Sequence, residues 1–251
     1  MIKLENTEVL GWEAAIRGMR NPMNSWDKSD SGRGFISIDD RKDGSIRTFS
    51  EFSPRADYYI GPNDQDLMMR LAKAGSVDAK YRRMIVVTVD ITAPLYWWKE
   101  FDTYKVGTVA NSCSTMHKIH SKEFTLEDFS HEHLLSIEAP FENSKHDIPL
   151  IGIELADDGS LVQDPIDIFT HTIEMLNRCR TMFLETKDKR YWWQMIQLLP
   201  SSYNQRRTVM MNYEVLAGIY PKRKDHKLDE WHDFCDWIKS LPYSEIITLE
   251  E

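Results

Sequence analysis

The sequence predicts an α+β fold in a single domain, and three observations carry that prediction. The run MIVVTVDIT, Met84 to Thr92, is the most β-branched stretch of the chain and has the length of a strand. The alternating segments FISID and SIRTFSEF are separated by DRKDG, whose Asp-Gly pair marks a hairpin turn. The second half of the chain repeats its apolar residues at helical spacing, over the longest stretch from Pro165 to Thr186.

In chain order, Val9, Leu10, Trp12, Ala15, Ile16 and Met19 recur at near-helical spacing and predict a helix from Thr7 to Arg20. Asn21-Pro22 stops it. The polar NSWDKSDSGRG predicts a loop, and the hairpin follows. A helix is expected over Asp64–Ala74, ended by Gly75, and then the strand Met84–Thr92. Pro94 suits the first turn of a helix that runs to Thr103. Thr-Leu-Glu-Asp in TLEDFSHEHLL has the form of a helix-capping pattern. Ser136 to Asp164 is loop-rich. Helices are then expected over Pro165–Thr186, Tyr191–Leu199, Gln205–Tyr220 and Leu228–Ser240, with Pro200 closing the second of them. No internal repeat, low-complexity tract or linker divides the 251 residues.

Composition narrows the function classes. The net charge of −9 argues against a general binder of nucleic-acid polymers, which needs a basic surface. A local arginine cluster can still hold a small phosphate on such a chain. The three cysteines, Cys113, Cys179 and Cys235, show neither metal-site nor disulfide spacing. The N-terminus is too polar for a signal peptide, and no apolar run reaches membrane-spanning length. A soluble cytoplasmic protein is expected, with no membrane contact.

The chemistry concentrates in YKVGTVANSCSTMH, residues 104 to 117. Cys113 and His117 lie four apart, a spacing that joins a thiol to a base on a helix, although a packed small residue is the commoner role. His117, His120 and the HEH of His131–His133 lack a third ligand at metal spacing, so solvated histidines are expected there. Gly107 and Thr108 permit a sharp turn, after which Asn111, Ser112, Cys113, Ser114 and Thr115 offer small polar groups to a phosphate or to the edge of a heterocycle. An ordinary capped turn is the alternative. Farther on, Arg206, Arg207, Asn212, Lys222 and Arg223 form a second polar cluster. Asn212 is expected on a helix, with Arg223 three turns later on nearly the same side. The pairs Trp97-Trp98 and Trp192-Trp193 are either core or walls for a flat ligand.

Between Leu67 and Leu241 these pieces resemble the flavin-dependent thymidylate synthases. In that family a strand ending in Ala-Pro leads through a helix to Arg-His-Arg-x-x-Ser-x-Asn-Glu-x-Ser-x-Arg-Tyr. Here Ala93-Pro94 follows the strand, Asn111 fits the motif asparagine and Ser114 its second serine. Ser112 stands for the glutamate, Met116 for the arginine and His117 for the tyrosine. Tyr104-Lys105-Val106, or Thr103-Tyr104-Lys105 with one residue inserted, replaces Arg-His-Arg. Later, Leu199-Pro200, Tyr203-Asn204, Thr208, Asn212, Arg223 and Trp231 keep the family order, while Glu214 and Ile196 replace two arginines.

The resemblance implies a small central antiparallel or mixed sheet flanked by long helices, with residues 64–241 as core and 1–63 a more variable helix and hairpin. It implies a homotetramer with sites between subunits, holding FAD beside dUMP, reduced by NADPH and supplied with carbon by methylenetetrahydrofolate. By this likeness Ser114 and Arg223 are catalytic, and Glu100, Ser112, Ser114 and Arg223 bind substrate. Tyr104, Lys105, Asn111 and Asn212 bind the flavin, and Cys113 is a spectator. Pyrophosphate and reduced flavin both require positive charge, each charge-assisted bond contributing about 1.5–3 kcal/mol. Arg17, Arg20, Lys28, Arg33, Arg82 and Arg83 are therefore expected substitutes for the missing arginines. The alternatives are a catalytically silent nucleotide-binding relative and a flavin enzyme that transfers another one-carbon group to a pyrimidine nucleotide.

Overall fold

The β-branched run forms the strand β6 (Val86–Pro94), and its side chains alternate: Val87, Val89, Ile91 and Ala93 are buried while Val86, Thr88, Asp90 and Thr92 are partly exposed. In the computed structural model, which describes residues 2–33, 35–38, 46–49, 58–134 and 165–249, this strand belongs to a four-stranded sheet of order β1-β6-β8-β7. β1 is Lys3–Leu10, β7 is Val109–Ser112 and β8 is Asn204–Asn212. Two further pairs are antiparallel: β2 (Gly32–Arg33) with β5 (Tyr58–Tyr59), and β3 (Phe35–Ile38) with β4 (Ile46–Phe49). The second pair is the expected hairpin, Phe35 opposite Phe49; its Asp-Gly turn and the loop-rich 135–164 lie outside the described residues.

The helices are α1 (Trp12–Arg20), α2 (Pro62–Ala74), α3 (Leu95–Phe101), α4 (Pro165–Thr186), α5 (Lys189–Leu198), α6 (Tyr213–Arg223), α7 (Asp229–Ser240) and α8 (Glu245–Thr248). Most lie within two residues of their expected bounds. The Thr-Leu-Glu-Asp pattern forms a full capping box, Thr125 with Asp128, around a single 3₁₀ turn.

Two expectations are corrected. Residues 7–10 belong to the strand β1, and the helix begins only at Trp12, after Gly11. Gly11 has φ +98°, and a Cβ there would stand 2.1 Å from the Met84 carbonyl oxygen, so glycine is what allows the strand to turn into the helix at this close approach. The expected helix Gln205–Tyr220 divides into β8 and α6. Gln205, Val209 and Met211 are buried while Arg206, Thr208 and Met210 are exposed, a period of two that belongs to a strand.

The chain folds as two compact units, one of Thr92–Phe101 and Ser112–Arg206, the other of Ile2–Ile91, Asp102–Asn111 and Arg207–Glu251. In the first unit α3 buries Trp97, Trp98 and Phe101, with the Trp97 and Phe101 rings stacked at 5.0 Å, and Trp98 Nε1 donates to the Gln205 carbonyl at 2.9 Å. The tryptophan pair at 97–98 is thus core, not a ligand wall. Phe124, Phe129, Leu176 and Met195 centre a second apolar cluster of that unit.

In the second unit Trp12 packs edge-on against Tyr213 and Tyr243, both at 5.3 Å. The loop after α1 is tied to α2 by Asp64, which accepts from Arg20 Nε (2.6 Å), Ser29 Oγ (2.7 Å) and Ser31 Oγ (2.6 Å). Burial works to raise the Asp64 pKa, but the serine and arginine hydrogen bonds and the Arg20 charge outweigh it and hold the carboxyl below its ordinary value.

Candidate functional site

In the second unit residues 102–108 turn and meet the start of α6. Gly107 makes that turn possible with φ +80°; a Cβ on it would stand 3.0 Å from Val215 Cγ2 and 3.4 Å from Asn212 Nδ2. Asn212 is not on the helix, as its spacing suggested, but is the helix cap: its Oδ1 accepts from Val215 N at 3.0 Å. The 102–108 turn and the exposed side of α6 enclose a hollow of about 280 Å³ lined by Thr103, Tyr104, Val106, Glu214, Gly218 and Lys222 among others. Gly218 faces open space, since a Cβ built there meets nothing within 4 Å.

Arg223 closes α6 beside this hollow. Its Nε donates to the Tyr104 hydroxyl at 2.8 Å, and its guanidinium carbon lies 4.3 Å from the Trp231 ring centroid and 5.4 Å from that of Tyr104. Two expected site residues 119 positions apart are therefore joined directly. Lys105 follows Tyr104 on the same turn and is exposed, as is Lys222.

Glu214, which also lines the hollow, does not oppose this positive charge. Its Oε2 accepts from Arg82 Nε at 2.8 Å, and Arg82 Nη1 donates to the Ile246 carbonyl at 3.1 Å. Arg82 is buried in that pairing and Arg20 in the Asp64 network, so neither is available as a substitute anion ligand; that expectation is corrected for both. Arg17 and Lys28 are exposed on and just after α1, Arg83 is exposed before β6, and Arg33 is a residue of β2. Arg207 binds Asp102 at 2.8 Å and braces the start of the turn.

The serine-rich segment is extended where a turn was expected. Asn111 and Ser112 are exposed residues of β7. The ladder continues past them in the first unit, as Cys113 N donates to the Arg206 carbonyl (2.9 Å) and Gln205 Nε2 to the Cys113 carbonyl (2.8 Å). The turn comes only at Ser114, whose Oγ accepts from Met116 N (3.3 Å) and His117 N (2.9 Å). Residues 113–117 form no helix, which removes the basis for pairing Cys113 with His117 by helical spacing. Glu100 lies partly exposed on α3. Trp192 donates to the Met116 carbonyl at 3.0 Å, and Trp193 is exposed with Lys189 over its ring.

Tyr104 and Arg223 thus meet at the C-terminal end of α6, with Lys105 next along the turn, Asn212 caps the opposite end of the helix, and Ser112, Ser114 and Glu100 belong to the other unit. Gly218 was not expected at the site, Lys222 was expected only as part of the wider polar cluster, and Arg82 was expected as an anion ligand and not as the partner of Glu214. Gly218 carried a legible signal, a bare position within a helix; the role of Arg82 carried none, because its partner lies 132 residues away. Among the described residues no group of three or more histidine, cysteine, aspartate or glutamate side chains is placed to hold a metal ion, and no helix is long and apolar enough to cross a membrane.

No family model and no curated protein matches the sequence. Solved structures do match the fold. The chain is similar to thymidylate synthase X (ThyX) from Helicobacter pylori, solved with FAD and dUMP, with a TM-score of 0.60 at 12% identity over 100% of this chain and 98% of that one. A second structure of the H. pylori flavin-dependent enzyme with FAD and dUMP gives 0.59 at 14% identity, covering 99% and 98%. The UMP/dUMP methylase PolB from Streptomyces cacaoi, bound with 5-Br UMP, gives 0.56 at 14% identity, covering 99% and 94%. The α+β fold of this chain is the one shared, end to end, by the H. pylori flavin-dependent thymidylate synthase and the S. cacaoi UMP/dUMP methylase.

Proposed function

We propose that the chain is a flavin-dependent pyrimidine-nucleotide methylase that converts dUMP to dTMP, with FAD as cofactor, methylenetetrahydrofolate as carbon donor and NADPH as reductant. The observation that carries this reading is the Tyr104–Arg223–Trp231 arrangement beside the α6 hollow, in a chain whose whole length follows the fold of two such enzymes.

The residues present suit an anionic flat group. Lys222 lines the hollow, Arg223 stands against Tyr104 beside it and Lys105 follows on the same turn, the Glu214 carboxylate is neutralised by Arg82, and the bare face of Gly218 leaves room for a ring. Lys105, Lys222, Asn111 and Asn212 would hold FAD; when bound, the flavin supplies the reducing electrons. Arg223 holds the negative charge of the nucleotide, Tyr104 keeps the guanidinium in place, and Ser112, Ser114 and Glu100 contact the substrate. Cys113 takes no covalent part. A homotetramer with sites shared between subunits completes the reading.

Purified protein incubated with FAD and desalted is expected to stay yellow, and with dUMP, NADPH and methylenetetrahydrofolate to yield dTMP by mass spectrometry. Failure to retain FAD sinks the proposal. A second reading, a nucleotide-binding relative without turnover, is favoured by the internal use of Arg20 and Arg82. Calorimetric binding of dUMP with no product under complete conditions decides for it. A product mass other than that of dTMP points to a different one-carbon transfer.

A further inference from the structure

Arg223 is the last residue of α6, and a long side chain at a helix end has many rotamers open to it. Here its contacts with Tyr104 and Trp231 favour one. The Tyr104 hydroxyl receives the Nε hydrogen at 2.8 Å, the Trp231 ring supports the guanidinium from 4.3 Å, and the Tyr104 ring lies 5.4 Å from it. Trp231 is itself packed among other rings. It is fully buried, with Tyr104 edge-on at 6.1 Å, His226 at 6.2 Å and Phe234 at 5.7 Å and 89°. A lysine at 223 has no planar face to lay on the indole and no Nε fork to anchor on the phenol.

We propose that Tyr104 and Trp231 are positioning residues that fix the plane of the Arg223 guanidinium, so that the site recognises its nucleotide through a pre-oriented fork and not through a mobile charge. This rests on the reading of Arg223 as a nucleotide ligand. Tyr104 orients the arginine through its oxygen and Trp231 through its face, so loss of either is felt by the nucleotide only while Arg223 is present. A guanidinium held before binding saves the ordering cost that a free side chain meets on binding.

The experiment is calorimetric titration of the FAD-loaded protein with dUMP, on wild type, Tyr104→Phe, Arg223→Ala and the double variant, together with hydrogen exchange of the Arg223 Nε–H by ¹⁵N NMR. Tyr104→Phe removes one oxygen from a half-exposed residue and keeps the ring. It is expected to weaken dUMP binding about five- to tenfold, the loss of one hydrogen bond. It is also expected to speed Nε–H exchange and leave the melting temperature unchanged. In the Arg223→Ala background the same change is expected to have no further effect on dUMP. Trp231→Phe, which keeps an aromatic face, is expected to lie between wild type and Tyr104→Phe.

Should Tyr104→Phe cost as much without Arg223 as with it, the two act independently and the clamp is overturned while Arg223 remains a ligand. Should Arg223→Ala leave dUMP binding intact, the nucleotide reading of the hollow fails, and with it any role of the clamp in recognition. Unchanged Nε–H exchange in Tyr104→Phe overturns the clamp on its own.

Discussion

Replacing Glu214 by alanine is expected to unfold the chain more readily, and the structure sets the size of the effect. Arg82 and Glu214 form an ion pair at 2.8 Å in which the arginine side chain is 5% exposed and the glutamate 20%. Without the carboxylate, the Arg82 guanidinium keeps the neutral Ile246 carbonyl but remains buried. Removing one partner of a buried pair costs roughly 3–5 kcal/mol, and the water that reaches Glu214 places this one near the lower end, about 3 kcal/mol. At about 2–4 °C per kcal/mol for a chain of this size, the melting temperature should fall by roughly 6–12 °C. Thermal unfolding followed by circular dichroism measures it, at low and at high salt, and the drop should change little between the two because a buried pair is poorly screened. Glu214→Arg should be worse than Glu214→Ala, since it sets a second guanidinium against Arg82. The double change Arg82→Met with Glu214→Leu should regain most of the loss, because an apolar pair of similar size avoids the cost of burying charge. A fall smaller than about 2 °C for Glu214→Ala, or a double variant no better than the single, would refute the view that this pair holds α6 in place.

Three further outcomes follow from single contacts. Asn212→Ala removes the α6 cap and should cost about 1 kcal/mol in urea unfolding without FAD, and more with FAD bound because the same side chain is proposed to hold the flavin, whereas Asn212→Asp should keep the cap; an equal loss in both states would make Asn212 a cap and not a flavin ligand. The Asp64 carboxyl titrates lower in the folded chain than in the unfolded one, so its stabilisation is present above the unfolded value of about 4 and is lost as pH falls through the folded one. Wild type should therefore lose stability below about pH 4, and Asp64→Asn, less stable at neutral pH, should show a flatter decline in acid denaturation curves; parallel curves would contradict this. Gly11→Ala places a methyl against the Met84 carbonyl and forces alanine to φ +98°, which should cost about 2–5 kcal/mol from strain and overpacking together, read as a lower urea midpoint.

What the sequence reveals depends on how local the cause is. Pro165–Thr186 is a helix over the stretch its periodicity marks, and the Thr125–Asp128 box forms where its four residues say, because capping and periodicity act within a few residues. The strands β1 and β8 are obscured for physical reasons. β1 lies at the sheet edge and leaves most of its side chains exposed, so KLENTEVL carries no inward row of apolar residues, and Val9 and Leu10 merge with the pattern of α1. The second residue of β8 is a buried glutamine, and its arginines and methionines are good helix formers, which masks the alternation from Gln205 to Met211. Within the site, Tyr104, Asn212 and Arg223 could be named from their order along the chain, but not the Tyr104–Arg223 bond or the capping role of Asn212, which need the fold.

The charge at the site shows why motif positions alone misjudge it. Glu214, standing where the resemblance expects an arginine, looks like a reversal of charge that should repel an anion. In the folded chain it comes with Arg82, which neutralises it, and the pair as a whole adds no net charge to the hollow. Positive charge near it comes from Arg223 and the exposed Lys105, at positions the resemblance names, and from the exposed Lys222 beside them. Glu214 and its distant partner belong together, since Arg82 without the carboxylate is a buried charge that has lost its ion pair. The unit to compare between this chain and proteins of the same fold is therefore the pair 82–214, and a loss of arginine at 214 tells against anion binding only where position 82 does not answer it.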